Sequence, residues 1–268
     1  MKTRLITAAV GIPFLIFVLV VRGWFAELLI VALTLIALYE CYHALTVAHF
    51  DICQIGGYVA AICMWPLSRF MGVLDPLLLV VAAMGLSMSG VILGKKPSFP
   101  NAAASVYPLF TCLLPMSMFM MMMNATYGRV PGIALITMAF AIAFCCDAAA
   151  YFGGRAFGKR KLCPTISPKK TVEGAFFGAL GGLLGALVIR WVFVHVFRMA
   201  MPGVPASMVL GLLGAFAGQI GDLTASLLKR YSGIKDYGNV FPGHGGVMDR
   251  FDSVIFTLIV LYCYTLVL

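Results

Sequence analysis

The chain has 268 residues, of which 62% are hydrophobic and 11% charged, with mean hydropathy +1.01 and a formal net charge of +9. That composition excludes a soluble globular domain. A bilayer core takes about 20 consecutive apolar residues per helix, and runs of this length recur along the chain, leaving no room for a separate soluble domain.

In chain order, the opening run MKTRLITAAVGIPFLIFVLVV is too long for the apolar core of a signal peptide and precedes no clear small-residue cleavage site. It is expected as a first retained helix over 5–21. Further spans are expected over 25–44, 54–72, 74–93, 104–123, 131–152, 173–197, 204–228 and 252–268. Pro66, Arg69 and Asp75 interrupt the third and fourth. The expectation is an all-α, polytopic membrane protein of about nine helices in a single membrane domain. Spans within 1–125 would act as scaffold, and those within 130–268 would carry the chemistry. The methionine-rich run 116–123 reads as apolar filler, and the eight cysteines show no metal-type spacing.

The basic residues sort by loop. With nine spans, the N-terminus and even-numbered loops hold Lys2, Arg4, Lys95, Lys96, Arg155, Lys159, Arg160, Lys161, Lys169, Lys170, Lys229, Arg230, Lys235 and Arg250. The other side holds Arg22, Arg69, Arg129 and Arg198, with Arg190 inside a span. Lys and Arg accumulate on the cytoplasmic side, which places the N-terminus and these loops inside and the C-terminus outside.

The ten acidic residues can be weighed singly. Glu27 lies near an outer helix end and needs no special account. Asp51 and Asp75 belong to loop edges. Glu40, at the inner end of the second span, is either a snorkelling interfacial group or a site member. Asp147 and Asp222 fall inside expected helices, where an ionisable group costs about 2.5–3.5 kcal/mol on insertion and marks a functional site by default. The alternative is that each simply pairs with a neighbouring Lys or Arg to lock two helices. Asp222 lies about 9 Å from the inner end of its span. Gly211, Gly218, Asp222, Ser226 and Lys229 share one helical face, a polar column running toward the cytoplasm. Gly174, Gly178 and Gly182, with Gly181 and Gly185, form a packing face of small residues compatible with helix association or a homodimer.

Two loops concentrate the remaining polar groups. In RAFGKRKLCPTISPKKTVEG (155–174), Ser167, Lys169, Lys170 and Thr171 stand at a helix start, where hydroxyls, ammonium groups and free N–H suit an anion. A capping box at Thr171 with topogenic lysines is the simpler account. The spacing does not fit the Walker pattern. The second loop is SLLKRYSGIKDYGNVFPGHGGVMDRFD (226–252).

That second loop resembles the signature of the phosphatidate cytidylyltransferases, the CDP-diacylglycerol synthases. The signature positions are filled by Ser226, Lys229, Arg230, Lys235, Asp236, Gly238, Phe241, Pro242, His244, Gly245, Gly246, Asp249, Arg250 and Asp252 without a gap. The stretch from Asp147 to Gly174 looks like the family's second block. One position departs: Ala225 precedes Ser226 where many members carry Glu.

The resemblance implies transfer of a cytidylyl group from CTP to phosphatidic acid, giving CDP-diacylglycerol and pyrophosphate with Mg²⁺; a second cation is left open. Joining two phosphate anions is catalysed chiefly by alignment and charge neutralisation. On this reading Asp222 and Asp249 are metal ligands, with Asp147 a third candidate. Lys229, Arg230, His244 and Arg250 are the charge-neutralising catalytic groups. Ser167, Lys169, Lys170, Thr171, Ser226, Lys235, Asp236, Gly245 and Gly246 bind substrate. CTP, phosphatidic acid and the bilayer are the expected partners, with no nucleic acid, and a bacterial chain would sit in the inner membrane. The rivals are another membrane CTP-using enzyme, such as a polyprenol- or phytol-type kinase, and a lipid transporter. A transporter would spread its charge through the bilayer midplane.

Overall fold

Asp75, Ser98 and Thr171 each cap the start of a helix, whereas Gln54 and Pro131 precede theirs without a side-chain cap. The computed structural model describes residues 11, 13, 17, 18, 20, 21, 23–72, 75–243 and 245–268. The expected first span and His244 therefore lie almost wholly outside the described residues.

Helix α1 runs Gly23–Val47, and α2 covers Ile55–Pro66 before passing into a π-helical turn, Leu67–Met71. Helix α3, Pro76–Ile92, opens on Asp75, whose carboxylate accepts from the N–H groups of Leu77 (2.8 Å) and Leu78 (2.9 Å), with Pro76 at the first helical position. Helix α4, Phe99–Pro108, is capped by Ser98 and continues through a π-helical turn into α5, Leu114–Asn124. A short hairpin, β1 (Thr126–Tyr127) with β2 (Val130–Pro131), leads into α6, Gly132–Phe157. A second hairpin pairs β3 (Lys161–Cys163) with β4 (Ser167–Thr171) ahead of α7, Val172–His195. Helices α8, Val204–Tyr231, and α9, Met248–Thr265, complete the chain.

The described residues are thus mainly helical. Among the described residues, five helical stretches are long and apolar enough to cross a membrane: Gly23–Val47, Phe99–Asn124, Gly132–Phe157, Val172–His195 and Val204–Tyr231. The expected total of about nine is not confirmed. The stretch 54–72 changes helix type just after Pro66, α3 has only 17 residues, and α9 carries Asp249, Arg250 and Asp252 in its first turns.

The chain divides into two compact units, Met1–Met123 with Leu228–Phe251, and Asn124–Leu227 with Asp252–Leu268. The signature loop therefore groups with the N-terminal helices, a partition that hydropathy does not reveal.

In the first unit, Leu38, Tyr42, Met64, Leu109, Leu113, Met116, Met120, Met122 and Met123 are fully buried, so the methionine run is core. Glu27 is a surprise. It is 1% exposed, accepts from the indole N–H of Trp65 at 3.0 Å, and lies 3.8 Å from the Arg69 guanidinium. The acid that needed no account is thus a buried partner for the arginine that interrupts the third span.

In the second unit, α6, α7 and α8 approach through their small residues. A Cβ on Gly181 would lie 2.5 Å from the Cys145 carbonyl oxygen, and one on Gly211 2.8 Å from the Leu183 Cα. The glycine face considered for a homodimer is thus packed within the unit.

Candidate active site

The 155–174 segment, expected as a loop, folds as a hairpin held at both ends. Thr171 accepts the Gly174 N–H on its hydroxyl at 3.1 Å and so caps α7. Glu173 turns away from that cap and accepts the backbone N–H groups of Lys159 (2.9 Å) and Arg160 (3.2 Å). Pro168 disfavours helix at Ser167, which lies extended in β4.

The hairpin edges a cavity of about 390 Å³ whose wall includes Asp147, Arg155, Lys169, Lys170, Thr171, Gln219 and Asp222. Within it the Lys170 ammonium donates to Asp222 Oδ2. Ser226 donates to Asp222 Oδ1 at 3.5 Å, and the Gln219 amide donates to the Ala175 carbonyl at 3.2 Å. The Lys170 and Asp222 side chains are 30% and 25% exposed, so the ion pair stays in reach of an entering solute. Ser167 stands at the far end of β4, opposite Cys163.

The second cluster lies in the signature loop of the other unit. Asp249 accepts from the Lys229 ammonium at 2.7 Å, the Tyr237 N–H at 2.7 Å and the Gly246 N–H at 3.0 Å, with its side chain only 2% exposed. Lys229 also lies 5.4 Å from the centre of the Tyr237 ring. Burial pushes the Tyr237 hydroxyl well above its usual range, so it stays neutral. Gly243 and Gly245 take positive φ angles of 75° and 84° in the tight turn, which the Phe241 N–H closes on the Gly245 carbonyl at 2.9 Å. Glu40, left undecided by the sequence, accepts the Val247 and Met248 N–H groups. Arg230, Lys235, Asp236 and Arg250 lie on exposed positions of the same segment.

Among the described residues, no three His, Cys, Asp or Glu side chains form a group able to hold a metal ion. Mg²⁺, however, is ordinarily held by one or two carboxylates together with substrate phosphates and water. Asp147 and Asp222, which both line the cavity together with Lys169 and Lys170, fit that requirement by donor type.

A model of the Cytidylyltransferase family matches residues 2–268. The chain belongs to this family. It is 34% identical over 265 residues to the phosphatidate cytidylyltransferase of Staphylococcus saprophyticus, covering 96% of both chains. The enzyme of the same name from Bacillus subtilis is 44% identical over 131 residues, which cover 49% of this chain and 47% of that protein. The Haemophilus influenzae protein is 41% identical over 132 residues, 48% of this chain and 44% of the relative. The chain thus matches less than half the length of these last two relatives. As a member of the cytidylyltransferase family, it carries both polar clusters in the segments singled out by the sequence. Gln219 is the addition from structure, and Glu40, left undecided by the sequence, joins the signature-loop cluster.

Proposed function

We propose that the chain transfers the cytidylyl group of CTP to phosphatidic acid, releasing pyrophosphate, at the cytoplasmic ends of its helices. The observation that carries this reading is the cavity lined by two carboxylates, two lysines and an arginine at the start of α7. A triphosphate and a lipid phosphate monoester both need cationic partners, and the head group of a membrane lipid lies at the depth of a helix end.

On this proposal Asp222 and Asp147 would hold Mg²⁺ in the cavity; Asp249, in the other unit, is a separate ligand candidate whose Oδ1 Lys229 Nζ would first have to release. When bound, the ion supplies neutralisation of phosphate charge at the reacting phosphorus. Lys170 releases Asp222 and turns to a phosphate oxygen, with Lys169 and Arg155 adding positive charge. Ser167, Thr171 and Ser226 donate hydroxyl hydrogen bonds. Lys235, Asp236, Gly245 and Gly246 contact the nucleotide, and Arg230, His244 and Arg250 compensate charge. The N-terminus and these loops face the cytoplasm, where CTP is found.

The deciding measurement uses purified protein, phosphatidic acid, a polyprenol, phytol, and CTP labelled at the α or the γ phosphate. The proposal expects α label in the lipid and γ label in pyrophosphate. Transfer of γ label to a lipid alcohol, with CDP released, would replace it by a kinase. No transfer of either label would remove both.

A further inference from the structure

Glu40 has no role in the chemistry described so far. It stands on α1, is 2% exposed, and is joined to a segment 207 and 208 positions later in the chain. Val247 N–H donates to its Oε1 at 3.0 Å and Met248 N–H to its Oε2 at 2.9 Å. Met248 is the first residue of α9, so its N–H is among those that a helix cannot satisfy internally. The preceding N–H, that of Gly246, goes to Asp249 Oδ2. Consecutive N–H groups of one loop are thus divided between two carboxylates, Asp249 and Glu40. Gly238 and Gly246 face Glu40 so closely that a Cβ on either would run into its carboxylate.

A neutral side chain in the local sequence would cap α9 without burying a charge. A buried carboxylate from a distant helix does something more: it ties the loop to α1 and fixes the approach of Asp249.

We propose that Glu40 is a positioning residue of the reaction, setting the loop 236–249 so that Asp249 is presented in the orientation turnover requires. This rests on the proposed cytidylyl transfer.

The test uses the full chain in lipid nanodiscs as wild type, Glu40→Gln, Glu40→Asp and Gly246→Ala. Each is assayed for kcat, for KM with CTP and with phosphatidic acid, for melting temperature, and for hydrogen–deuterium exchange. Glu40→Gln is expected to lower kcat about tenfold or more, with both KM values held within about twofold. Exchange should rise in peptides covering 236–250 and nowhere else. Glu40→Asp, which keeps the charge on a shorter stem, should recover part of kcat. Unchanged kcat with unchanged exchange would overturn the proposal. So would a lower melting temperature with faster exchange throughout α1 to α5, the mark of a purely structural role. If Glu40→Gln does not fold, Gly246→Ala reaches the same carboxylate from the loop side and must give the same local exchange and the same fall in kcat; wild-type behaviour there overturns the idea. A wild-type chain that transfers no cytidylyl group removes the reaction on which the role rests. The exchange data would still report the loop contact, so the two failures are distinguishable.

Discussion

Two lysine–aspartate pairs among the described residues share their chemistry but not their surroundings. Lys170–Asp222 lies in an open cavity, with side chains 30% and 25% exposed. Lys229–Asp249 is enclosed, at 13% and 2%, and its carboxylate is further bound by the N–H groups of Tyr237 and Gly246. A solvated ion pair contributes little to stability and exchanges partners readily. An enclosed one strongly destabilises the protein when one member is lost, because the other is left buried and uncompensated. The first pair is therefore suited to open readily for substrate and metal, whereas the second holds a loop in shape and opens only at greater cost.

The largest expected effects break the pairs from the acidic side. Asp222→Asn and Asp249→Asn should each lower turnover by about a hundredfold or more, the scale of a lost metal or phosphate contact. Their melting temperatures should separate them. Asp249→Asn strands a buried Lys229 and should cost about 3–5 kcal/mol, whereas Asp222→Asn should melt close to wild type. Equal melting temperatures would erase the distinction. Lys229→Met added to Asp249→Asn should restore most of the lost stability without restoring activity, since replacing a whole buried pair by apolar groups is often neutral. A double variant that melts like Asp249→Asn alone would show that the backbone contacts of Asp249, not the charge pair, carry the stability. Next comes Lys170→Gln, expected to raise KM for CTP or phosphatidic acid, or to lower kcat, by about tenfold, or about 1.4 kcal/mol, at unchanged melting temperature. Wild-type kinetics would return Lys170 to a topogenic role. The smallest effect is expected from Glu173→Gln, which weakens the exposed tie to Lys159 and Arg160. It should shift KM by about twofold at most, as exposed polar contacts usually do.

Much of the site could be read from residue order, for a physical reason. A carboxylate inside an apolar helix is costly enough that Asp147 and Asp222 stand out without any structure. Thr171 as a cap was readable because capping is local, its acceptor and donor lying three residues apart. Other features were not readable because their partners are remote. Glu27 looked unremarkable, since Trp65 and Arg69 lie some forty positions away and only packing brings them to it. The β3–β4 hairpin was missed because its strands are three and five residues long and carry no alternating pattern. The glycines of α7 were correctly marked as a packing face, but their partner was not specified. Small residues advertise close approach, not what approaches.

The sequence by itself determined the membrane character, the positions of most helices, the two polar segments and the family, because hydropathy, capping and motif spacing are properties of neighbouring residues. Tertiary structure alone decided that residues 228–251 group with the N-terminal helices. It also decided that Asp249 is enclosed while Asp222 borders a cavity, and that Glu40 holds the loop between them in sequence. Burial and long-range hydrogen bonding depend on which distant surfaces meet, and no local pattern encodes that meeting.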